Sequence, residues 1–397
     1  MNILILTSNY PADDIPKQMT SVVHYFAKEW VRKGHRVVVL HSHNGFPFFV
    51  YWILKLFRKR LESKVGYMFT LSKPCDKDYN LDGVVVHRRI MTKLLPHFRF
   101  FDSSYRLQIC QFLKILDEDD FKPDVIIGHW ITPQLRLMHE LKKIYNVPTM
   151  LTIHEELPVL ERDYGEKGRA YLQSIDKIGF RSGRIKQVFL ESYPLSIPTF
   201  MCYSGVPTSF VPNKNAKNFH DSIRTFTYTG TLIARKCPEA LLWALKDRDD
   251  SLINIIGDGE QKQNLMELID KFHLADKVKL WGRIERDQVN EIMRHTDCFI
   301  MISKFETFGL VYLEAMANGC ITIASRGEGM DGVIKDGFNG FLCEAGNWKG
   351  LKEIIHRLDQ MSREELQVIS NQAYATAKRL TDDRVADEYL NFVKSGE

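Results

Sequence analysis

Apolar runs of strand length alternate with helix-period segments twice along this chain, and no other feature constrains the fold as strongly. The first series opens with a strand at residues 3–7, a helix at 21–33 stopped by Gly34, and a second strand at 36–41. In that helix Val22, Val23, Tyr25, Phe26, Trp30 and Val31 gather roughly on one side. Further strands are expected at 84–87, 125–128 and 149–153. Strands continuous in Val, Ile and Leu suit a parallel sheet covered on both faces. A second series places strands at 225–229, 252–256, 278–281, 298–302 and 321–324, with helices at 238–246, 261–272, 288–295 and 310–318. Between the series, residues 192–222 hold Pro194, Pro198, Pro207, Pro212 and a polar stretch, and read as a linker. The expectation is two doubly wound α/β domains whose strand ends face a shared cleft, where such sheets bind ligands.

Length and composition agree. A chain of 397 residues can bury two cores. A net charge of +4 is too small to imply nucleic-acid binding by itself. Seven scattered cysteines without a C-x-x-C pair argue against a zinc site or a disulfide framework. No run of 18 apolar residues is present. The opening Met1-Asn2-Ile3-Leu4 lacks a basic leader and a cleavage site, so a cytoplasmic protein is expected, soluble or at a membrane surface.

The chemistry concentrates in residues 303–319. A strand ends, a polar loop carries Glu306, and Gly309 lets a ligand approach the start of a helix whose free N–H groups favour phosphate. Glu314 falls inside that helix on an apolar stretch, an unusual place for an idle carboxylate. The two carboxylates could grip the hydroxyls of a sugar and a ribose. Equally, Glu306 could cap the helix and Glu314 could form a salt bridge.

The segment resembles the E-x7-E motif of retaining GT-B glycosyltransferases, specifically glycosyltransferase family four. In order along the chain, residues 254–260 (Gly257-Asp258-Gly259), 277–283 and 336–342 (Asp336-Gly337-Phe338-Asn339-Gly340) resemble other motifs of that family. In the amino half Gly34-His35-Arg36-Val37, residues 123–130, residues 147–155 and Ser204-Gly205-Val206-Pro207 match more loosely. The resemblance implies two Rossmann-like domains facing a central cleft: residues 1–203 on the acceptor side, 204–378 holding the donor, and 379–397 as a helix crossing back. It implies that Glu306 contacts the donor sugar and Glu314 its ribose. Phe308, Gly309 and Leu310 would meet the diphosphate, Lys236 would neutralise it, and His154 would sit near the reaction centre. Gly282 and Arg283 would lie beside the base. No metal and no cofactor are expected, because protein cations would stabilise the departing phosphate.

Three departures stand out. Thr231 occupies the position of the family arginine that pairs with the diphosphate, and threonine has no guanidinium fork. The adjacent Arg235 could compensate, or could point away. The family's glycine pair is missing from residues 10–21. Gly327-Glu328-Gly329-Met330 stands where G-G-x-P-E is usual.

Other residues have competing readings. A strand-end histidine such as His154 is by itself more often structural, and the resemblance reverses that. His129 reads equally as a substrate contact or as a surface or core residue. The triplets Asp76-Lys77-Asp78 and Asp247-Arg248-Asp249 read as solvated connections, not metal sites, and no G-x-G-x-x-G marks a redox dinucleotide. Residues 46–60 are aromatic and apolar, then basic. From Phe46 to Arg106 twelve Lys/Arg face five Asp/Glu. They read either as a buried helix with a basic end or as a surface whose Lys55, Arg58, Lys59 and Arg60 dock on an anionic leaflet.

The expected activity is transfer of a sugar from a UDP- or GDP-linked donor to a hydroxyl of a glycan or lipid-linked acceptor. Configuration would be retained, in surface polysaccharide synthesis such as capsule or O-antigen. The alternatives are a nucleotide-sugar epimerase on the same fold and a non-catalytic nucleotide-sugar-binding partner. No nucleic-acid partner is expected.

Overall fold

Side chains along a β-strand alternate between its two faces, and here both faces are filled. In the computed structural model, which describes residues 1–14, 21–53, 55–56, 74–95, 98–154, 159–215, 217–219 and 223–394, the first series builds an eight-stranded sheet. Its strands are β1 (Asn2–Thr7), β2 (Arg36–Gly45), β3 (Lys77–Leu81), β4 (Val84–Thr92), β5 (Val125–His129), β6 (Thr149–Ile153), β7 (Lys177–Phe180) and β8 (Thr199–Met201). They lie in the order β3-β4-β2-β1-β5-β6-β7-β8, and β3 runs antiparallel to β4 while the other neighbours are parallel. Leu4, Leu6, Val38, Leu40 and Ile126 pack on one face. Ile3, Ile5, Val37, Val39, Val125 and Ile127 pack on the other. A sheet apolar on both sides must be covered on both sides, which is what the helices do.

The second series forms a six-stranded parallel sheet from β9 (Thr225–Thr229), β10 (Leu252–Ile256), β11 (Val278–Gly282), β12 (Cys298–Ile300), β13 (Ile321–Ser325) and β14 (Phe341–Cys343). The order is β11-β10-β9-β12-β13-β14. The last helix, Asp382–Lys394, returns to the first sheet. Its Val385, Ala386, Tyr389 and Leu390 complete the core against helix Val22–Arg32. Trp30 Nε1 donates to the Ala386 carbonyl at 2.9 Å, and the Thr152 and Tyr389 hydroxyls share a hydrogen bond of 2.5 Å.

Several expectations change. The segment 192–222 is not wholly a linker: β8 lies inside it and extends the first sheet through Thr199–Met201. Three residues flanked by prolines carry no readable period. Asp78 belongs to strand β3 rather than a solvated loop, and bonds His87 (2.9 Å) and Arg89. Asp247 and Asp249, by contrast, stay exposed in a connection as expected, and pair with Lys352 (2.6 Å) and Lys277 (3.3 Å). The helix expected from 288 starts at Arg286, because Glu285 and Gln288 form a capping box.

Candidate active site

Loops at the carboxyl ends of the two sheets enclose a cavity of about 610 Å³ between the domains. Its wall takes Trp130, His154 and Arg181 from the first domain, and Ser204 from the junction between the two. From the second come Gly230, Thr231, Lys236, Arg286, Glu306, Phe308, Gly309 and Glu314.

The loop between β12 and helix Leu310–Ala317 is built around Gly309, whose φ of +85° is left-handed. A Cβ there would run into the Tyr312 ring, so glycine is required. The bend aims the first turn of the helix at the cavity. The N–H groups of Leu310 and Val311 have no acceptor within the helix and suit an anion. Glu306 accepts from Lys236 Nζ and, at 3.2 Å, from the Ser303 hydroxyl. Both side chains of the Lys236–Glu306 pair are largely buried. The Glu306 N–H donates to Glu328 at 2.9 Å, and Glu328 also pairs with Arg184 of the first domain. The glutamate of the altered Gly327-Glu328-Gly329 stretch therefore fixes the loop that carries Glu306. Glu314 is 6% exposed and accepts from Arg286 Nε at 2.8 Å, with Arg286 Nη2 in ion-pair contact at 2.6 Å. Arg286 Nη1 donates to the Tyr25 hydroxyl of the first domain at 3.1 Å.

The paired glycines of Gly257-Asp258-Gly259 act on backbone spacing. The Gly230 N–H donates to the Ile256 carbonyl (3.0 Å) and the Leu232 N–H to the Asp258 carbonyl (3.1 Å). A Cβ at Gly257 would strike the Gly230 carbonyl. The turn thus holds the loop bearing Thr231 and Lys236 at the cavity edge.

His154 follows β6 and hydrogen-bonds His129, Nε2 to Nδ1, at 2.9 Å. It stacks on Trp130 with ring centres 4.1 Å apart. Trp130 has φ +68°, rare for a bulky residue and characteristic of positions held by function or packing. Burial, reinforced by the Arg181 charge, pushes the His129 pKa down to about 3 and that of His154 well below its usual value. Both rings are therefore neutral near pH 7. His154 can exchange a hydrogen bond with a ligand but cannot serve as a cation there.

The cavity thus gathers His154, Thr231, Lys236, Glu306, Phe308, Gly309, Leu310 and Glu314 from the residues expected at a site. The others lie elsewhere. His129 is wholly buried behind His154 and off the cavity wall. Arg235 is exposed, with Nη1 on the Phe305 carbonyl at 3.4 Å. Gly282 accepts the Gly257 N–H at 2.8 Å, and neither Gly282 nor the exposed Arg283 reaches the wall. Lys55 is exposed on the first domain; Arg58, Lys59 and Arg60 fall outside the described residues. Sequence reasoning missed Trp130, Arg181, Arg184, Arg286 and the role of Glu328. The capping box would have brought Arg286 to a helix start. Arg181 and Arg184 follow β7, whose four residues gave no signal.

Comparisons with known proteins converge on one class. Residues 19–210 match the model of Glycosyltransferase Family 4, and residues 211–376 that of Glycosyl transferases group 1. An uncharacterised glycosyltransferase of Methanocaldococcus jannaschii is 28% identical over 313 residues, 78% of this chain and 83% of that one. The lipopolysaccharide core biosynthesis glycosyltransferase LpsD of Rhizobium meliloti is 28% identical over 169 residues, 42% of this chain and 48% of that one. Among solved structures, HepE of Anabaena in complex with UDP superposes with a TM-score of 0.69 at 16% identity, covering 100% of both chains.

Proposed function

The chain belongs to glycosyltransferase family 4 with the GT-B fold, and from that premise we propose that it transfers a sugar, with retained configuration, from a nucleoside-diphosphate donor to a hydroxyl of a glycan or lipid-linked acceptor. One observation carries this reading: Lys236, Glu306, Glu314, His154 and the helix start at Gly309 line a single interdomain cavity. Donor phosphates set against Lys236 and the N–H groups of Leu310 and Val311 would have their growing charge stabilised as the sugar–phosphate bond breaks. Glu306 and Glu314 would turn from their cation partners toward sugar and ribose hydroxyls. The first domain would present the acceptor, whose oxygen loses its proton as the new C–O bond forms. Domain closure would exclude water and favour transfer over hydrolysis. The UDP of HepE and the lipopolysaccharide work of LpsD favour a uridine donor and a surface-polysaccharide setting.

A thermal-shift panel of UDP-, GDP- and ADP-sugars in EDTA tests the donor site. A rise in Tm with one of them, persisting in chelator, is the expected result. No rise with any, or one that appears only with added divalent metal, overturns the metal-independent donor site. Donor consumption that ignores every glycan or lipid-linked acceptor favours the epimerase reading.

The acceptor side supports a membrane partner. Strands β2 and β4 end as neighbours, Gly45 beside Thr92. The chain leaving each strand carries exposed apolar residues: Phe48, Trp52, Ile53 and Leu56 after β2, Leu94, Phe98 and Phe101 after β4. Phe48 is 78% exposed and Trp52 59%, which disfavours a buried helix. No described helix is long and apolar enough to cross a membrane. With the surrounding excess of positive charge, the patch suits the surface of an anionic bilayer. Replacing Lys55, Arg58, Lys59 and Arg60 with alanine is expected to abolish co-sedimentation with phosphatidylglycerol vesicles, at about 1 kcal/mol per cation. Equal sedimentation of variant and wild type would sink this part of the reading.

A further inference from the structure

Arg181 is a buried cation with no carboxylate partner among the described residues. It directly follows β7, is 2% exposed, and donates to the Cys202 carbonyl at 2.6 Å and to the Ser204 hydroxyl. Both acceptors are neutral. Its neighbours Cys202 and Tyr389 are neutral near pH 7, because burial pushes both their pKa values up, and among the described residues no carboxylate pairs with it. The other inward arginines differ. Arg88 has Asp14, Arg248 has Asp359, Arg286 has Glu314 and Arg184 has Glu328. A guanidinium withdrawn from water without a counter-charge is costly, and burial lowers its hold on the proton. Such a group is stabilised by any anion that reaches it.

An anion can reach it, because Arg181 lines the cavity together with Lys236. Its guanidinium carbon lies 5.4 Å from the centre of the Phe308 ring, beside Gly309 and the helix start. On the opposite wall Thr231 offers a hydroxyl where the resemblance leads one to expect a guanidinium, and Arg235 is exposed on the surface. The second domain's two wall cations, Lys236 and Arg286, are each already paired with a glutamate, and the first domain holds one that no carboxylate among the described residues pairs with.

We propose that Arg181 is a donor-binding residue, reaching across the interdomain cavity to the phosphates of the nucleotide sugar and supplying the cation that Thr231 does not. This rests on the donor-site reading above. Lys236 and Arg181 belong to different domains, so a diphosphate held by both ties the domains together. Planar, forked donors suit two phosphate oxygens at once, which lysine at the same place would not match.

The test is calorimetric titration of UDP and of GDP, in EDTA, into wild type, Arg181→Met, and Arg181→Met with Thr231→Arg. Expected is at least tenfold weaker binding in Arg181→Met of whichever diphosphate the wild type takes. Its ligand-free Tm should equal or exceed that of wild type, because an uncompensated buried charge has been replaced by an apolar chain of similar length. Adding Thr231→Arg should regain at least threefold. Should methionine prevent folding, Arg181→Lys gives the same reading: weakened binding at unchanged Tm. Binding within twofold of wild type in the folded variant overturns the assignment. So does a change confined to acceptor KM, which would move the anion to the acceptor. A wild type that binds neither diphosphate overturns the donor reading itself, and this inference with it.

Discussion

Replacing Lys236 with alanine is expected to lower sugar transfer about 10²- to 10³-fold, the usual effect of removing one preorganised group that meets developing charge. Lys236 and Glu306 neutralise each other while no ligand is bound, and both are largely withdrawn from water. With the lysine gone, Glu306 keeps the Ser303 hydroxyl and its negative charge remains beside the incoming phosphates. Two penalties therefore add: lost stabilisation of the leaving group and new repulsion. Because the first grows as the sugar–phosphate bond breaks, kcat should fall more than KM rises. Steady-state kinetics with the donor picked out by the thermal-shift panel measures it. A loss of less than tenfold would remove Lys236 from the reaction centre.

Glu314→Gln is expected to lose both stability and donor binding, and a second substitution separates the two. Breaking a buried ion pair from one side typically costs 3–5 kcal/mol, because the remaining charge is left without its partner. Arg286 is about one-third exposed and keeps the Tyr25 hydroxyl, which places the cost near the lower end, about 3 kcal/mol. For a domain of this size that is a fall of roughly 6–12 °C in Tm. Adding Arg286→Leu removes the stranded guanidinium and should recover most of that loss. If Glu314 holds the ribose, nucleotide affinity stays low in the double variant. If Glu314 serves only as a salt-bridge partner, affinity returns with stability.

The alternation of apolar runs with helix-period segments was enough to read two parallel sheets, because a strand buried on both faces must be apolar throughout. Strands β6, β9 and β10 begin and end where the pattern places them. The pattern failed where an element is too short to repeat. β7, β8 and β14 have three or four residues each, and β8 hides among prolines. The Glu306–Glu314 pair was legible for a related reason: a loop carboxylate, a glycine and a helix carboxylate lie within nine consecutive residues. Glu306 did not become a simple helix cap, since its carboxylate is occupied by Lys236 and Ser303.

What the sequence alone determined is therefore local: the layer architecture, the glycine bend at Gly309, the two carboxylates, and the absence of a guanidinium at Thr231. Only the tertiary structure decided which side chains share the cavity. Arg181 and Lys236 come from different sheets, Arg286 meets Tyr25 across 261 positions of chain, and Glu328 joins Arg184 to the Glu306 loop. It also placed His129 behind His154 rather than on the surface. Periodicity tells which face a residue occupies. The partner it meets depends on how two separately folded sheets are set against each other, and in this chain the helix Asp382–Lys394 packs the end of the sequence back onto the first of them.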